Sequence, residues 1–177
     1  MGTEDSIYDE DMHYEDEAGI ASIDAKLLAE PIRSLHRRGG HIAIPPDTTI
    51  GEAARIMKTH RIGCVLVEAQ GRLVGIFTER DILTKLIGTG YDPAAVRVDA
   101  VMTREVETLS PDDPIAFALQ RMSIGGFRHV PLVDETGRPV GVLSVKDIVD
   151  YLAENFPREV LNIPPEPGKQ PQIPEGA

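Results

Sequence analysis

The apolar positions of this chain form a pattern that is written twice. Ile50, Ala53, Ala54 and Met57 lie at i, i+3, i+4 and i+7, and so do Ile115, Ala118, Leu119 and Met122. Each set predicts a helix with one apolar stripe. Asp47-Thr48-Thr49 offers N-cap chemistry to the first, and Asp113 does so for the second, with Pro114 suited to the first helical position. A short apolar run follows each helix, Cys64-Val65-Leu66-Val67 or Val130-Pro131-Leu132-Val133. Glu68-Ala69-Gln70-Gly71 and Asp134-Glu135-Thr136-Gly137 then read as tight turns. Second runs follow, from Leu73 to Phe77 and from Val140 to Leu143. Unbroken apolar runs, in place of alternation, imply strands covered on both faces. A second helix opens at Thr78 or Ser144 and ends near Gly88 or before Pro157. With Ile42 to Ile44 and Val106 to Leu109 as leading strands, each unit reads strand–helix–strand–strand–helix.

The sharpest repeat is Gly75-Ile-Phe-Thr-Glu-Arg-Asp81, which returns 66 residues later as Gly141-Val-Leu-Ser-Val-Lys-Asp147. From Ile62 to Leu86 against Arg128 to Leu152, 9 of 25 positions are identical. Upstream, Pro46 and Met57 answer Pro111 and Met122 at an offset of 65. A unit this short cannot bury its apolar face alone, so its copies are expected to pack on each other. The predicted fold is α/β, with two pseudo-symmetric β-α-β-β-α repeats packed sheet to sheet. The first repeat spans 38–97 and the second 101–157, with residues 89–101 as the connection. An extra helix is expected over 26–37, interrupted or begun again at Pro31. The apolar stripes of Ile50/Ala53/Ala54/Met57 and Ile115/Ala118/Leu119/Met122 exceed what two thin sheets would cover, which predicts a homodimer.

Charge changes the picture at the ends of the chain. The net charge is −11, yet residues 1–25 hold nine acids and no Lys or Arg. That stretch reads as a disordered acidic tail over 1–25. Residues 158–177, with Pro164, Pro165, Pro167, Pro171 and Pro174, read as a Pro-rich extended tail. An acidic chain lacking a basic stripe is a poor nucleic-acid binder. One cysteine, Cys64, permits no internal disulfide and agrees with a reducing compartment. With no signal peptide and no apolar run of spanning length, the expected location is cytoplasmic, with no membrane partner.

Two readings fit Thr78-x-x-Asp81 and Ser144-x-x-Asp147. In one, a hydroxyl caps the helix and the acid three residues on reaches back to the cap. In the other, the same groups meet a ribose phosphate. A strand glycine before the hydroxyl marks a close approach to the backbone. The helix start favours phosphate, and a carboxylate there accepts both ribose hydroxyls. Arg80 and Lys146, between hydroxyl and acid, can neutralise phosphate.

These segments resemble the cystathionine-β-synthase (CBS) domain family, as a tandem pair or Bateman module. The resemblance runs from about Ile32 to Leu152. It rests on Val101-Met102-Thr103, Ser110-Pro111-Asp112, Pro131-Leu132-Val133-Asp134 and both Gly-x-x-Thr/Ser-x-x-Asp segments. It implies adenine nucleotides bound between the copies, with Thr78 and Asp81 at one site and Ser144 and Asp147 at the other, meeting phosphate and ribose. It also implies dimerisation and regulation of a partner protein by ligand-dependent movement. The ligand class spans AMP, ADP, ATP, S-adenosylmethionine and dinucleotides, all of which present an adenosine.

The copies differ ahead of the Val130-Pro131 run. The second has Phe127-Arg128-His129 where the first, aligned at the same offset, has Arg61-Ile62-Gly63. Arg128 and His129 are therefore candidate phosphate contacts for one site, or else a surface cation and a buried structural histidine. As contacts they would favour charged nucleotides there, with binding that tightens as the imidazole protonates near pH 6.5.

Catalytic machinery is not legible. The five histidines do not fall at metal-ligand spacings, Cys64 has no CxxC partner, and neither GxSxG nor a phosphate-binding loop occurs. The expected function is that of an adenosine-ligand sensor, not an enzyme, needing no cofactor beyond its regulatory ligand. The alternative is a ligand-independent dimeric scaffold.

Overall fold

A computed structural model describes residues 29–35 and 40–155. The acidic and Pro-rich tails, and residues 36–39, lie outside the described residues. Of the helix expected over 26–37, the described part is a 3-10 turn, Ile32–Leu35.

In the first copy, β1 (Ala43–Ile44) leads to α1 (Ile50–His60), β2 (Cys64–Ala69) and β3 (Arg72–Thr78). They form a sheet of order β1-β2-β3, parallel then antiparallel. The chain closes with α2, one α-helical turn Glu79–Asp81 that continues as a π-helical turn Ile82–Leu86. The second copy has α3 (Ile115–Gly125), β4 (His129–Val133), β5 (Pro139–Ser144) and α4 (Val145–Asn155). Cys64, Leu66 and Ile76 of one sheet pack with Val142 of the other, so the two sheets meet.

Local chemistry accounts for most boundaries. Thr49 caps α1 through a capping box with Glu52. At α3 the cap position is Pro114, with no side-chain bond. Asp113, expected to cap, instead accepts from the Ser110 N–H at 2.8 Å and closes the preceding turn. The hairpin turn of the first copy is Gln70-Gly71, with φ of 54° and 74°, the left-handed pair that a two-residue hairpin requires.

The leading strand expected over Val106 to Leu109 is reduced to one parallel bridge, Leu109 with Leu132. Proline is the physical reason. In β2, the Leu66 N–H donates to the Ile42 carbonyl at 3.0 Å. Pro131 occupies the corresponding place and has no N–H to donate to the Glu107 carbonyl, so the ladder begins only at Leu109.

Strand pairing also corrects the alignment of the copies. Cys64 pairs with Thr78, and His129 pairs with Ser144. The Glu79 N–H donates to the Gly63 carbonyl at 3.0 Å, and the Val145 N–H donates to the Arg128 carbonyl at 3.1 Å. The first three elements therefore repeat at an offset of 65, so His129 answers Cys64 and Arg128 answers Gly63. The extra residue sits in the second hairpin turn, where five residues separate the last paired positions, Val133 and Pro139, against four between Glu68 and Leu73.

Each copy is sealed by the segment that precedes the other. Ile32, fully buried, joins the core of Ile115, Leu132 and Leu143, while Val98, also fully buried, joins that of Ile50, Val65 and Phe77. The hydrogen bonds match pairwise: Ile32 N–H to the Asp113 carbonyl at 2.9 Å, Val98 N–H to the Thr48 carbonyl at 2.8 Å. Lys85 and Tyr151 occupy equivalent helix positions. The first donates to the Val101 carbonyl at 2.8 Å and the second to a Glu30 carboxylate oxygen at 2.7 Å. This exchange covers the α1 and α3 stripes. Ile50, Ala53, Met57, Ile115, Ala118 and Met122 are buried within one chain, and Ala54 and Leu119 are half-buried. The helix-stripe argument for a homodimer does not hold; the exposed large apolar residues are elsewhere, among them Leu83, Ile87, Ile124 and Val149.

Candidate functional site

A cleft of about 290 Å³ opens where the copies meet, lined by Thr78, Arg80 and Asp81 of the first and Phe127, Arg128 and His129 of the second. Glu79, Thr103, Glu105, Val106 and Glu107 complete its charged and polar wall, with Ile76 behind. Five of the eight residues singled out from the sequence thus come together. Ser144, Lys146 and Asp147 do not line this cleft; they stand at the equivalent helix start of the second copy. Lys146 pairs with Asp150 one turn along α4, on the solvent side.

The capping reading is borne out at both helix starts. One Asp81 oxygen accepts from the Thr78 N–H at 2.8 Å and from the Thr78 hydroxyl at 2.7 Å. Asp147 accepts from the Ser144 N–H and hydroxyl, each at 2.7 Å. Asp81, only 7% exposed, is the buried charged residue among the described ones. Its second oxygen meets Lys85 at 2.6 Å. That partner was missed in the sequence, although it lies at i+4 from Asp81 where such pairs form.

The strand glycine has a structural cause. A Cβ on Gly75 would come within 2.5 Å of Met102 Sδ and 3.0 Å of the Thr103 carbonyl oxygen. The close approach is made by the segment connecting the copies, which bridges β3 at Ile76 and Thr103. Gly63 has a similar role toward His129, whose Cε1 would lie 2.9 Å from a Cβ there.

The cations cross the seam. Arg80 donates to the Gly126 carbonyl at 2.6 Å, and Arg128 pairs with Glu79 at 2.8 Å. Arg128 and His129 therefore belong to the cleft of Thr78 and Asp81. Burial holds the His129 imidazole below its ordinary pKa and Arg128 adds to this, while Glu79 and Asp147 oppose it. Protonation near pH 6.5, expected from the sequence, moves to lower pH. Burial pushes the Cys64 thiol up to about 12, with Glu79 and Asp147 contributing.

Glu79, Glu105 and Glu107 were not anticipated. Glu107 belongs to the run expected as a leading strand and Glu105 immediately precedes it, where no motif marks them. Among the described residues no cluster of His, Cys, Asp and Glu is suited to hold a metal ion. No helix among them is long and apolar enough to cross a membrane.

Comparison with known proteins agrees with this geometry. The chain is 36% identical over 112 residues to an uncharacterised 17.7 kDa protein of Acidianus ambivalens, covering 63% of this chain and 66% of that one. The crystal structure of the CBS-domain protein ATU1752 from Agrobacterium tumefaciens superposes with a TM-score of 0.63 at 35% identity, covering 68% of this chain and 98% of that one. The CBS domain pair of protein MJ0100, solved with 5′-methylthioadenosine and S-adenosyl-L-methionine, gives a TM-score of 0.64 at 27% identity over 72% of this chain and 98% of its own. The sequence profile of the CBS domain matches residues 33–88 and again 98–154, and the chain belongs to the CBS domain family as a tandem pair.

Proposed function

We propose that this chain is a regulatory module that binds an adenosine-containing small molecule between its two copies and signals occupancy to a partner protein by movement of one copy against the other. The observation that carries this reading is the cleft itself. Asp81 and Thr78 stand at a helix start on one wall, with Arg128 and His129 of the other copy facing them. A ribose accepts this setting because its diol donates to a carboxylate. The adenosine ligands of the similar MJ0100 pair support the same ligand class. Catalysis forms no part of the proposal, and a cytoplasmic location remains an expectation.

One observation favours a scaffold without ligand. Both Asp81 oxygens are already engaged, by Thr78 and by Lys85. Denaturing the purified protein and analysing released small molecules by absorbance and mass spectrometry separates the two readings. Calorimetry then assigns the site. Asp81→Ala is expected to weaken binding of an adenosine ligand by about 1.5–3 kcal/mol, the value of a charge-assisted hydrogen bond. Equal affinity of Asp81→Ala, Asp147→Ala and the parent removes the ribose assignment. A second copy of this chain is the proposed cover for exposed Leu83, Ile87 and Val149; light scattering at the monomer mass across the micromolar range removes that.

A further inference from the structure

The charges of the cleft are unevenly committed. Four carboxylates line it, Glu79, Asp81, Glu105 and Glu107, against two guanidinium groups, Arg80 and Arg128. Lys85 offsets Asp81 at 2.6 Å, Arg128 offsets Glu79 at 2.8 Å, and Arg121 from outside the lining offsets Glu107 at 3.0 Å. Glu105 makes no ion pair or hydrogen bond among the described residues, and its side chain is exposed to the cleft. Arg80 alone has no carboxylate partner; one of its N–H groups donates to the Gly126 carbonyl, which leaves its charge able to meet a single phosphate group.

A polyphosphate entering here meets a difficulty of charge. To reach Arg128 it must strip that cation from Glu79 and leave the carboxylate beside its own negative oxygens. Arg80 can meet one phosphate; any phosphate beyond it faces Glu105, and the remaining cation of the lining, Arg128, is already paired with Glu79. Like charges brought together in one cleft repel even with solvent present. An adenosine compound with no charge, or with a positive one, leaves the Glu79–Arg128 pair intact and finds Glu105 a neutral or favourable neighbour.

We infer that the cleft of Thr78 and Asp81 selects an uncharged or cationic adenosine derivative and rejects nucleoside di- and triphosphates, with Glu105 and the Glu79–Arg128 pair as the discriminating groups. This rests on the adenosine reading above and reverses the preference for charged nucleotides expected from Arg128 and His129 in the sequence. The second copy carries no equivalent filter. Counting back from Ile44 and Leu109, Gly40 stands where Glu105 does and Ile42 where Glu107 does, and Val145 replaces Glu79. The rejection therefore belongs to one cleft only.

The test needs a reporter in the lining of that cleft, and the His129 imidazole Cε1–H resonance of the isotopically labelled full-length chain provides one. Adenosine, S-adenosylmethionine, ADP and ATP, the last with and without magnesium, are titrated while that resonance is followed. Adenosine or S-adenosylmethionine is expected to saturate the shift at a concentration at least about tenfold lower than ATP, which corresponds to about 1.4 kcal/mol. Glu105→Gln, a change at an exposed side chain, is expected to narrow that ratio severalfold. ATP saturating the resonance at the same or lower concentration than adenosine overturns the inference and leaves the adenosine reading standing. A ratio unchanged in Glu105→Gln overturns the role given to Glu105. A resonance that responds to none of the four compounds overturns the adenosine reading of this cleft, and this inference with it.

Discussion

Cys64 and His129 occupy the same place in the two copies. Each opens the middle strand of its unit and pairs with the hydroxyl residue that caps the following helix, Thr78 or Ser144. One position thus holds a small thiol in one copy and a titratable ring in the other. His129 lines the cleft; Cys64 is buried between the sheets. The two sites of the pair are chemically unequal at their nearest equivalent residues.

Cys64 is expected to be inert. A thiol pKa raised from 9.0 to about 12 lowers the thiolate fraction at pH 8 on the order of a thousandfold. Labelling with a thiol reagent at pH 8 should be slow in the folded protein and prompt in urea. Prompt labelling of folded protein would show that the sheets part often enough to admit the reagent.

His129 is expected to make stability depend on pH. Its folded-state pKa lies below the ordinary value, so between the two values the unfolded chain binds the proton that the folded chain does not. Stability is then complete above about pH 6.5 and falls as pH drops toward the folded-state value. Thermal midpoints measured from pH 7.5 to 5 should fall more for the parent than for His129→Gln. Parallel curves refute the assignment.

Ile32 should behave as a core residue of the second copy despite lying ahead of the first. It is fully buried beside Ile115 and Leu143. Ile32→Ala is expected to cost about 2–5 kcal/mol, as for other buried Ile truncations. Urea unfolding followed by circular dichroism measures this, and a loss below about 1 kcal/mol would place the segment outside the core.

Arg61 ends α1 in the left-handed conformation, with φ of 55°, where the equivalent cap of α3 is Gly126 with φ of 66°. A side chain there is strained and glycine is not, while glycine loses more freedom on folding. Arg61→Gly is expected to raise stability by about 0.5–1 kcal/mol, read from the urea midpoint at unchanged slope.

What the sequence by itself determined was whatever is local in the chain. Helix stripes, hairpin runs, N-cap hydroxyls at Thr78 and Ser144 and the aspartates three residues on are all set by spacing of a few residues, because helix and turn chemistry acts over that range. The repeat was legible for the same reason. Both offsets of the repeat, 65 and 66, were legible, but not the place where one gives way to the other, since an extra residue in a hairpin turn leaves sequence identity intact while β-pairing decides which residues are equivalent. Only the tertiary structure placed Ile32 in one core and Val98 in the other, because apolar side chains are sealed by whatever segment reaches them. Only the tertiary structure brought Arg128, His129, Glu105 and Glu107 to Asp81. Charges act through space, so the character of that cleft depends on groups that spacing along the chain cannot pair.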